Sequence, residues 1–364
     1  MSTLSQYLSG WKTLPRFRYS SFVIIGLTIL LICLIIVSVG IGAVSISPGE
    51  VLAIILDQIG INTNVSYEQI QASILLDIRL PRVILAILVG SALAISGAAM
   101  QGLFRNPLAD PGLIGVSSGA ALATAVAMIV LSSLSSPIIE SLGMALIPLS
   151  AFAGGTLATI LVYRLSTFGG RTNVATMLLA GIAINAMAGA IIGFMIFLAN
   201  DDQLRDLTFW TLGSLGGAMW NSVLVVLPFI LAAILFLPNL SKSLNAILLG
   251  EMEARHLGIK VEGLKKIIIV FVGMSVGAAV SVSGIIGFVG LVVPHILRLW
   301  IGPDHRFLMP GSAILGGLLL LGSDLIARTI VSPAELPIGV ITASVGAPFF
   351  LWLLIRNREL SNYL

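Results

Sequence analysis

The chain has 364 residues, of which 57% are hydrophobic and only 10% charged. Soluble domains carry about 25% charged residues, so the composition excludes an ordinary water-soluble fold and calls for lipid as solvent. A net charge of +3 gives no ground for nucleic-acid binding, and the single cysteine, Cys33, excludes a disulfide framework.

Basic residues Lys12, Arg16 and Arg18 precede an apolar run from Phe22 to about Ile46. That run is longer than the 7–15 residues of a signal-peptide core, so it is read as a first membrane helix. A span needs about 20 mostly apolar residues. Ten such segments follow in order: 21–44, 82–104, 112–133, 142–165, 174–198, 219–239, 265–282, 284–302, 308–328 and 336–356. The division near Ser281 and Gly284 is the weakest, because two helices share one apolar stretch there. The expected fold is an all-α integral membrane protein, one polytopic domain over 1–364. It comprises an N-terminal segment 1–20, a bundle over 21–356 and a loop at 240–264. Small residues such as Gly90-Ser91-Ala92 and Gly316-Gly317 suit close helix crossings.

Orientation follows from the basic residues. With the N-terminus cytoplasmic, Arg79, Arg82, Arg205 and Arg328 are the four of nineteen Lys and Arg residues that fall outside. An even number of spans, with both termini cytoplasmic, preserves this asymmetry.

The longest inside connection runs from about Pro238 to Lys266. Within it, Glu251 to Leu257 can form two short helical turns between Gly250 and Gly258, with Met252 and Leu257 free to face a partner. Glycines at both ends suit a short helix that enters and leaves sharply. One reading is a solvated loop; the other is a coupling helix seated on a cytoplasmic ATPase.

The pattern Gly250-Glu251-x-x-Ala254-Arg255-His256-Leu257-Gly258 resembles the coupling motif of permeases that import iron-siderophores, heme or cobalamin. Four further stretches are similar to that family: Arg79-Leu-Pro-Arg82, the segment Arg105 to Ser117, the segment Ser283 to Arg298, and the segment Ala334 to Pro348. The resemblance covers about residues 70 to 356. It implies the type II importer fold, with ten helices per subunit in a bacterial inner membrane. It also implies a homodimer, two cytoplasmic ATP-binding subunits that carry ATP and Mg, and a periplasmic binding protein. This chain would itself hold no cofactor and no metal. The resemblance further assigns Arg79, Arg82 and Arg328 to docking of the binding protein, since an arginine fork suits a carboxylate. For Arg328 a local pair with Asp324, one turn earlier, is the alternative. Arg205 stands among Asp201, Asp202 and Asp206 and reads as locally paired. By position in the family pattern, Val174 and Ala175 fall at an inner gate. The stretches Leu178 to Gly189 and Asp201 to Gly216 look most like heme permeases; ferric siderophore and cobalamin are the other substrates.

Other features read as structural. Pro107 and Pro111 stop one helix and restart the next, with Asn106 and Asp110 able to bond free backbone groups. His295 lies beside Pro294 and reads as packing, and no two histidines have ligand spacing. No G-x-x-x-x-G-K-[ST] loop occurs, so the chain is expected to be no enzyme, with no catalytic residue. Apart from Asp324 near an outer end, the spans are read as free of ionisable groups. That argues against an ion-coupled secondary transporter, the remote alternative.

Overall fold

The computed structural model describes residues 16–131 and 142–361, apart from 43, 62, 64 and 333. Lys12, most of the expected N-terminal segment and the last two positions of the expected third span lie outside the described residues.

The chain runs through α1 (Arg16–Gly40) and α2 (Pro48–Gln58) into a continuous helical approach over Gln69–Arg79, whose last six residues form a π-helix. This leads directly into α3 (Leu80–Phe104). A 3₁₀ turn (Pro111–Ile114) precedes α4 (Val116–Ile129), and α5 (Leu146–Leu165) follows. A minimal hairpin pairs β1 (Thr167–Phe168) with β2 (Arg171–Thr172) and enters α6 (Val174–Leu198). Then come α7 (Asp201–Leu212), α8 (Trp220–Phe236), α9 (Ser241–Leu249) and α10 (Glu251–His256). The chain ends with α11 (Val261–Ser283), α12 (Val289–Ile301), α13 (His305–Thr329) and α14 (Ile338–Ser361).

Among the described residues, seven helical segments are long and apolar enough to cross a membrane, and α4, α12 and the apolar part of α14 are shorter apolar helices. The expected segments are therefore all helical, with shifted ends. At 284–302, α12 starts only at Val289. Gly284 has φ +67° and Phe288 has φ +69°, so the backbone leaves the helical region twice before α12 begins. Five elements were not expected: α2, the helical approach over 69–79, the amphipathic α7, α9 and the hairpin, each too short or too polar to register as a span. The 240–264 segment is largely helical, not a loop, and the hairpin is a small exception to an all-α fold.

α3 is the axis of the bundle. It packs against α13, α11, α12 and α8, and nearly every side chain from Pro81 to Phe104 except Ile84 and Ile87 is buried. Its composition explains this. Between helices in lipid no hydrophobic effect operates, so close contact must come from small residues. A methyl added at Gly90 would overlap the Gly316 carbonyl of α13, and one added at Gly97 would overlap Gly290 of α12. Hydroxyls add directional bonds: Ser91 Oγ donates to the Ala313 carbonyl at 2.7 Å, and Ser96 Oγ meets Ser275 Oγ at 2.9 Å. A second crossing joins α4 to α5 at Gly119 and Gly154. By contrast α1 and α6 are mostly exposed to whatever surrounds the chain.

The turn between α3 and α4 is built as its sequence indicates. Arg105 ends α3 in the left-handed region at φ +49°. Asn106 Oδ1 accepts from the Leu108 amide at 2.9 Å, and Asp110 Oδ1 accepts from the Gly112 amide at 2.7 Å.

Candidate functional site

The segment 250–258 folds into a rigid short helix. Gly250 enters it at φ +135°, and α10 closes at Gly258 with φ +82°. The Gly258 amide donates to the Arg255 carbonyl at 2.9 Å and the Ile259 amide to the Ala254 carbonyl at 3.0 Å. This is a Schellman closure, which needs a left-handed residue at its turn and so favours glycine. Ala254 is wholly buried beneath α10, whereas Met252 and Leu257 are 60% and 65% exposed. Glu253, Arg255 and His256 are also exposed. Glu251 is half-buried instead, with its carboxylate turned to an ion pair beneath the helix.

Its partner is Lys265 of α11, whose side chain is only 3% exposed. The Lys265 ammonium donates to Glu251 Oε2 at 2.9 Å and to the Thr172 carbonyl at 2.8 Å, with Glu262 Oε1 at 3.5 Å. A buried ammonium is tolerated only when paired and hydrogen-bonded in this way. Glu262 accepts from the Thr172 amide at 2.8 Å and pairs with Arg255 at 3.2 Å. No spacing rule links positions 172, 251 and 265, so sequence reasoning missed Lys265 and Thr172.

Val174 and Ala175, the predicted gate, open α6. Asn173 caps that helix, its Oδ1 accepting from the Thr176 amide at 3.1 Å. Val174, Ala175, Arg105, Glu251, Arg255 and Lys265 share the wall of one recess of about 500 Å³. The structure thus brings Glu251 and Arg255 of the predicted coupling segment to the same recess as the predicted gate. Along α6, Met177, Gly181, Ile184 and Ala188 are buried, while the opposite face, with Leu179, Ile182, Ala186 and Phe194, is open. Gly189 and Gly193 on that open side face empty space.

Arg79, Arg82 and Arg328 gather at the other end of the bundle, but as interior groups. Arg79 Nη1 donates to the Val39 and Gly40 carbonyls at 2.8 and 2.9 Å, and its Nη2 reaches the Val44 carbonyl. Arg328 Nη2 donates to the Ser38 carbonyl at 2.5 Å and to Ser38 Oγ at 2.6 Å. Both cations therefore cover the last carbonyls of α1, which have no partner within the helix and carry its negative dipole end. Arg82 meets Asp324 Oδ1 at 2.9 Å and spans both oxygens of Glu335 at 2.7 and 3.0 Å. Arg328 Nε lies 3.6 Å from Asp324, so the local pair is present. The chain itself supplies these arginines with two carboxylates and a helix terminus. Asp324 is also not the only ionisable group within a helix, because Arg82 and Lys265 are buried in α3 and α11. Glu335, in the connection before α14, is held below the usual carboxylate range by its bonds to Arg82.

The remaining candidates have plain roles. His295 packs against Phe349 and Phe350 with ring centroids about 6 Å apart. Arg205 lies 3.9 Å from Asp202, both exposed.

The fold superposes on a solved metal-chelate-type ABC transporter in an inward-facing conformation with a TM-score of 0.79, at 30% identity over 92% of this chain and 99% of that one. Fold and composition together define a multi-pass membrane permease of the ABC-importer class. Residues 29–356 match the FecCD transport family, and the chain belongs to it. The hemin transport system permease protein HmuU of Yersinia pestis is 45% identical over 333 residues, covering 92% of this chain and 95% of that protein. The cobalamin import system permease protein BtuC of Halobacterium salinarum is 44% identical over 282 residues, covering 78% and 73%.

Proposed function

We propose that this chain moves heme (hemin) across a bacterial inner membrane, driven by ATP hydrolysis on partner subunits. The observation that carries the coupling part is α10, a short helix closed by glycine at both ends and presenting Met252 and Leu257 outward. Exposed apolar side chains on a rigid, polar-flanked helix suit a protein partner. In this reading Gly250, Glu251, Ala254, Arg255, His256, Leu257 and Gly258 form the element received by an ATP-binding subunit.

Two copies form the pathway. The open face of α6, apolar and interrupted by Gly189 and Gly193, supports a second copy opposite it, with Val174 and Ala175 at the inner gate. Ten spans, seven long helices and three shorter ones, keep both termini on the cytoplasmic side.

Heme is supported over cobalamin by identity at equal coverage: the hemin permease is 45% identical over 92% of the chain, against 38% for the vitamin B12 permease BtuC of Vibrio parahaemolyticus over the same share. A ferric siderophore is the other reading of the same fold.

Docking of the binding protein falls to the outer charges, with Arg79, Arg82 and Arg328 as its cations. The carboxylates of an arriving partner would take the place that Glu335 holds on Arg82.

The test is reconstitution of the chain with its ATP-binding subunits in proteoliposomes, with hemin-loaded binding protein supplied outside. ATP-dependent appearance of hemin in the ATP-containing compartment is the expected result. Transport of cobalamin or a ferric siderophore without hemin would overturn the substrate assignment.

A further inference from the structure

We propose that Lys265 is the positioning residue that carries movement of α10 to the inner end of α6. The proposal rests on reading α10 as the ATPase contact. Lys265 lies five residues into α11, and its ammonium is met by three elements: Glu251 from α10 at 2.9 Å, the Thr172 carbonyl from β2 at 2.8 Å, and Glu262 of α11 at 3.5 Å. Glu262 then returns to β2, accepting from the Thr172 amide at 2.8 Å. Both backbone groups of Thr172 are thereby held by one charge cluster around the buried Lys265. Thr172 is followed directly by Asn173, the cap of α6, and then by Val174.

The direct route from α10 to α6 is therefore one ammonium and two residues of backbone, with Arg255 and Glu262 as a second arm to the Thr172 amide. β2 is also held by the Asn173 amide, which donates to the Ser166 carbonyl at 2.9 Å, and by Thr172 Oγ1, 3.0 Å from Thr167 Oγ1. The hairpin tip is open, with Phe168 74% exposed and nothing within reach of a side chain at Gly169 or Gly170. β1 is tied to the end of α5, where Thr167 Oγ1 donates to the Tyr163 carbonyl at 2.8 Å; β2 is tied to α11 through Lys265 and Glu262. A shift of Glu251 thus pulls on an ammonium whose other strong bond is to the strand that leads into α6.

The side-chain chemistry fits the task. Lysine offers three donors on a compact charge at the end of a flexible stem, so it can satisfy three oxygens in different directions. A methionine of similar length keeps the packing and supplies no donor. Without the ammonium, Glu251 loses its partner, Glu262 keeps only Arg255, and the direct tie from Glu251 to the Thr172 carbonyl is gone.

The experiment uses the assembled permease–ATPase complex in nanodiscs, carrying Ala175→Cys in a Cys33→Ser background. The rate of thiol labelling at position 175 is measured with and without ATP, with ATP hydrolysis followed in the same sample. The parent complex should show an ATP-dependent change in labelling. Lys265→Met should reduce that change about tenfold, as expected for loss of a coupling energy in the usual range, while hydrolysis continues. Lys265→Arg, which keeps the charge, should retain most of the response. Glu251→Gln weakens one arm of the cluster only and serves if the methionine variant does not assemble; its response should also fall. A full ATP response in assembled Lys265→Met, or in Glu251→Gln where the former fails to assemble, overturns the proposal. A parent complex that ignores ATP at position 175 overturns it as well, by removing the gate. If Gly258→Val leaves the ATP-binding subunits bound and the response intact, the ATPase-contact reading fails, and the proposal with it.

Discussion

Arg82 and Asp324, 242 positions apart in the chain, meet at 2.9 Å in the interior of the end of the bundle away from α10, joining α3 to α13. Breaking a buried pair by removing one partner costs about 3–5 kcal/mol, because the other charge is left uncompensated. Arg82→Met should therefore lower the thermal midpoint in detergent sharply. The double variant Arg82→Met/Asp324→Asn should recover a large part of the loss. A single variant as stable as the parent would show that the pair carries no weight.

Glu335 occupies the exposed edge of Arg82, with its own side chain 40% exposed. If arriving carboxylates take that edge, Glu335→Gln removes their competitor. Binding-protein association should then become faster and more sensitive to salt, as changes in rim charge generally act on association rate. Surface-immobilised permease complex and titrated binding protein provide the measurement. Slower association in Glu335→Gln would count against docking at these arginines.

Gly90 and Gly316 put two helix backbones in contact, and neither site has room for a Cβ. Gly316→Leu should push α13 off α3 and prevent stable insertion or extraction as a monodisperse species. Overpacking a well-fitted site typically costs about 1–3 kcal/mol and often more where backbone must move. Gly189→Ala on the open face of α6 is the control and should leave the isolated chain's stability unchanged, since nothing lies within reach there. Size-exclusion profiles and melting curves separate the two.

Gly258 has room for a side chain but not the backbone freedom, because its φ of +82° lies in the region that β-branched residues avoid. Gly258→Val should open the closure of α10 and release the ATP-binding subunits or abolish stimulated hydrolysis. Gly258→Asn, which tolerates the left-handed region, should be milder. Equal and normal activity in both variants would return this segment to an ordinary surface turn.

Asp304 caps α13, accepting from the Arg306 amide at 3.0 Å and from Asn245 Nδ2 at 2.7 Å, with the Arg306 guanidinium alongside. The Arg306 guanidinium first, and the two hydrogen bonds after it, hold its carboxyl down to about 2, against an ordinary 3.8. A depressed carboxyl adds stability above its unfolded value, and that stability is lost as pH falls through the folded value. The contribution should thus be complete above about pH 4 and fade between 4 and 2. Asp304→Ala should cost about 1 kcal/mol at neutral pH, the usual price of a lost cap. Melting curves at stepped pH should show less acid dependence in that variant.

The sequence alone determined the solvent, the succession of helices and the family. Lipid-facing helices announce themselves by uninterrupted apolar length, and the segment 250–258 by glycines whose backbone freedom no other residue supplies. The turn at Asn106 and Asp110 was legible for the same reason, because capping bonds span only two residues. What only the tertiary structure decided was the use of the charges. Arg79 and Arg328 read as outward-facing cations because sequence shows their side of the membrane but not the carbonyls at the end of α1 that they cover. Lys265 read as one more basic residue of an inside loop, yet it is buried against Glu251 and Thr172. Local propensity acts over one or two turns of helix, whereas burial of a charge depends on which distant helices cross there. Those crossings are set by where glycines allow backbones to touch, as at Gly90 and Gly316.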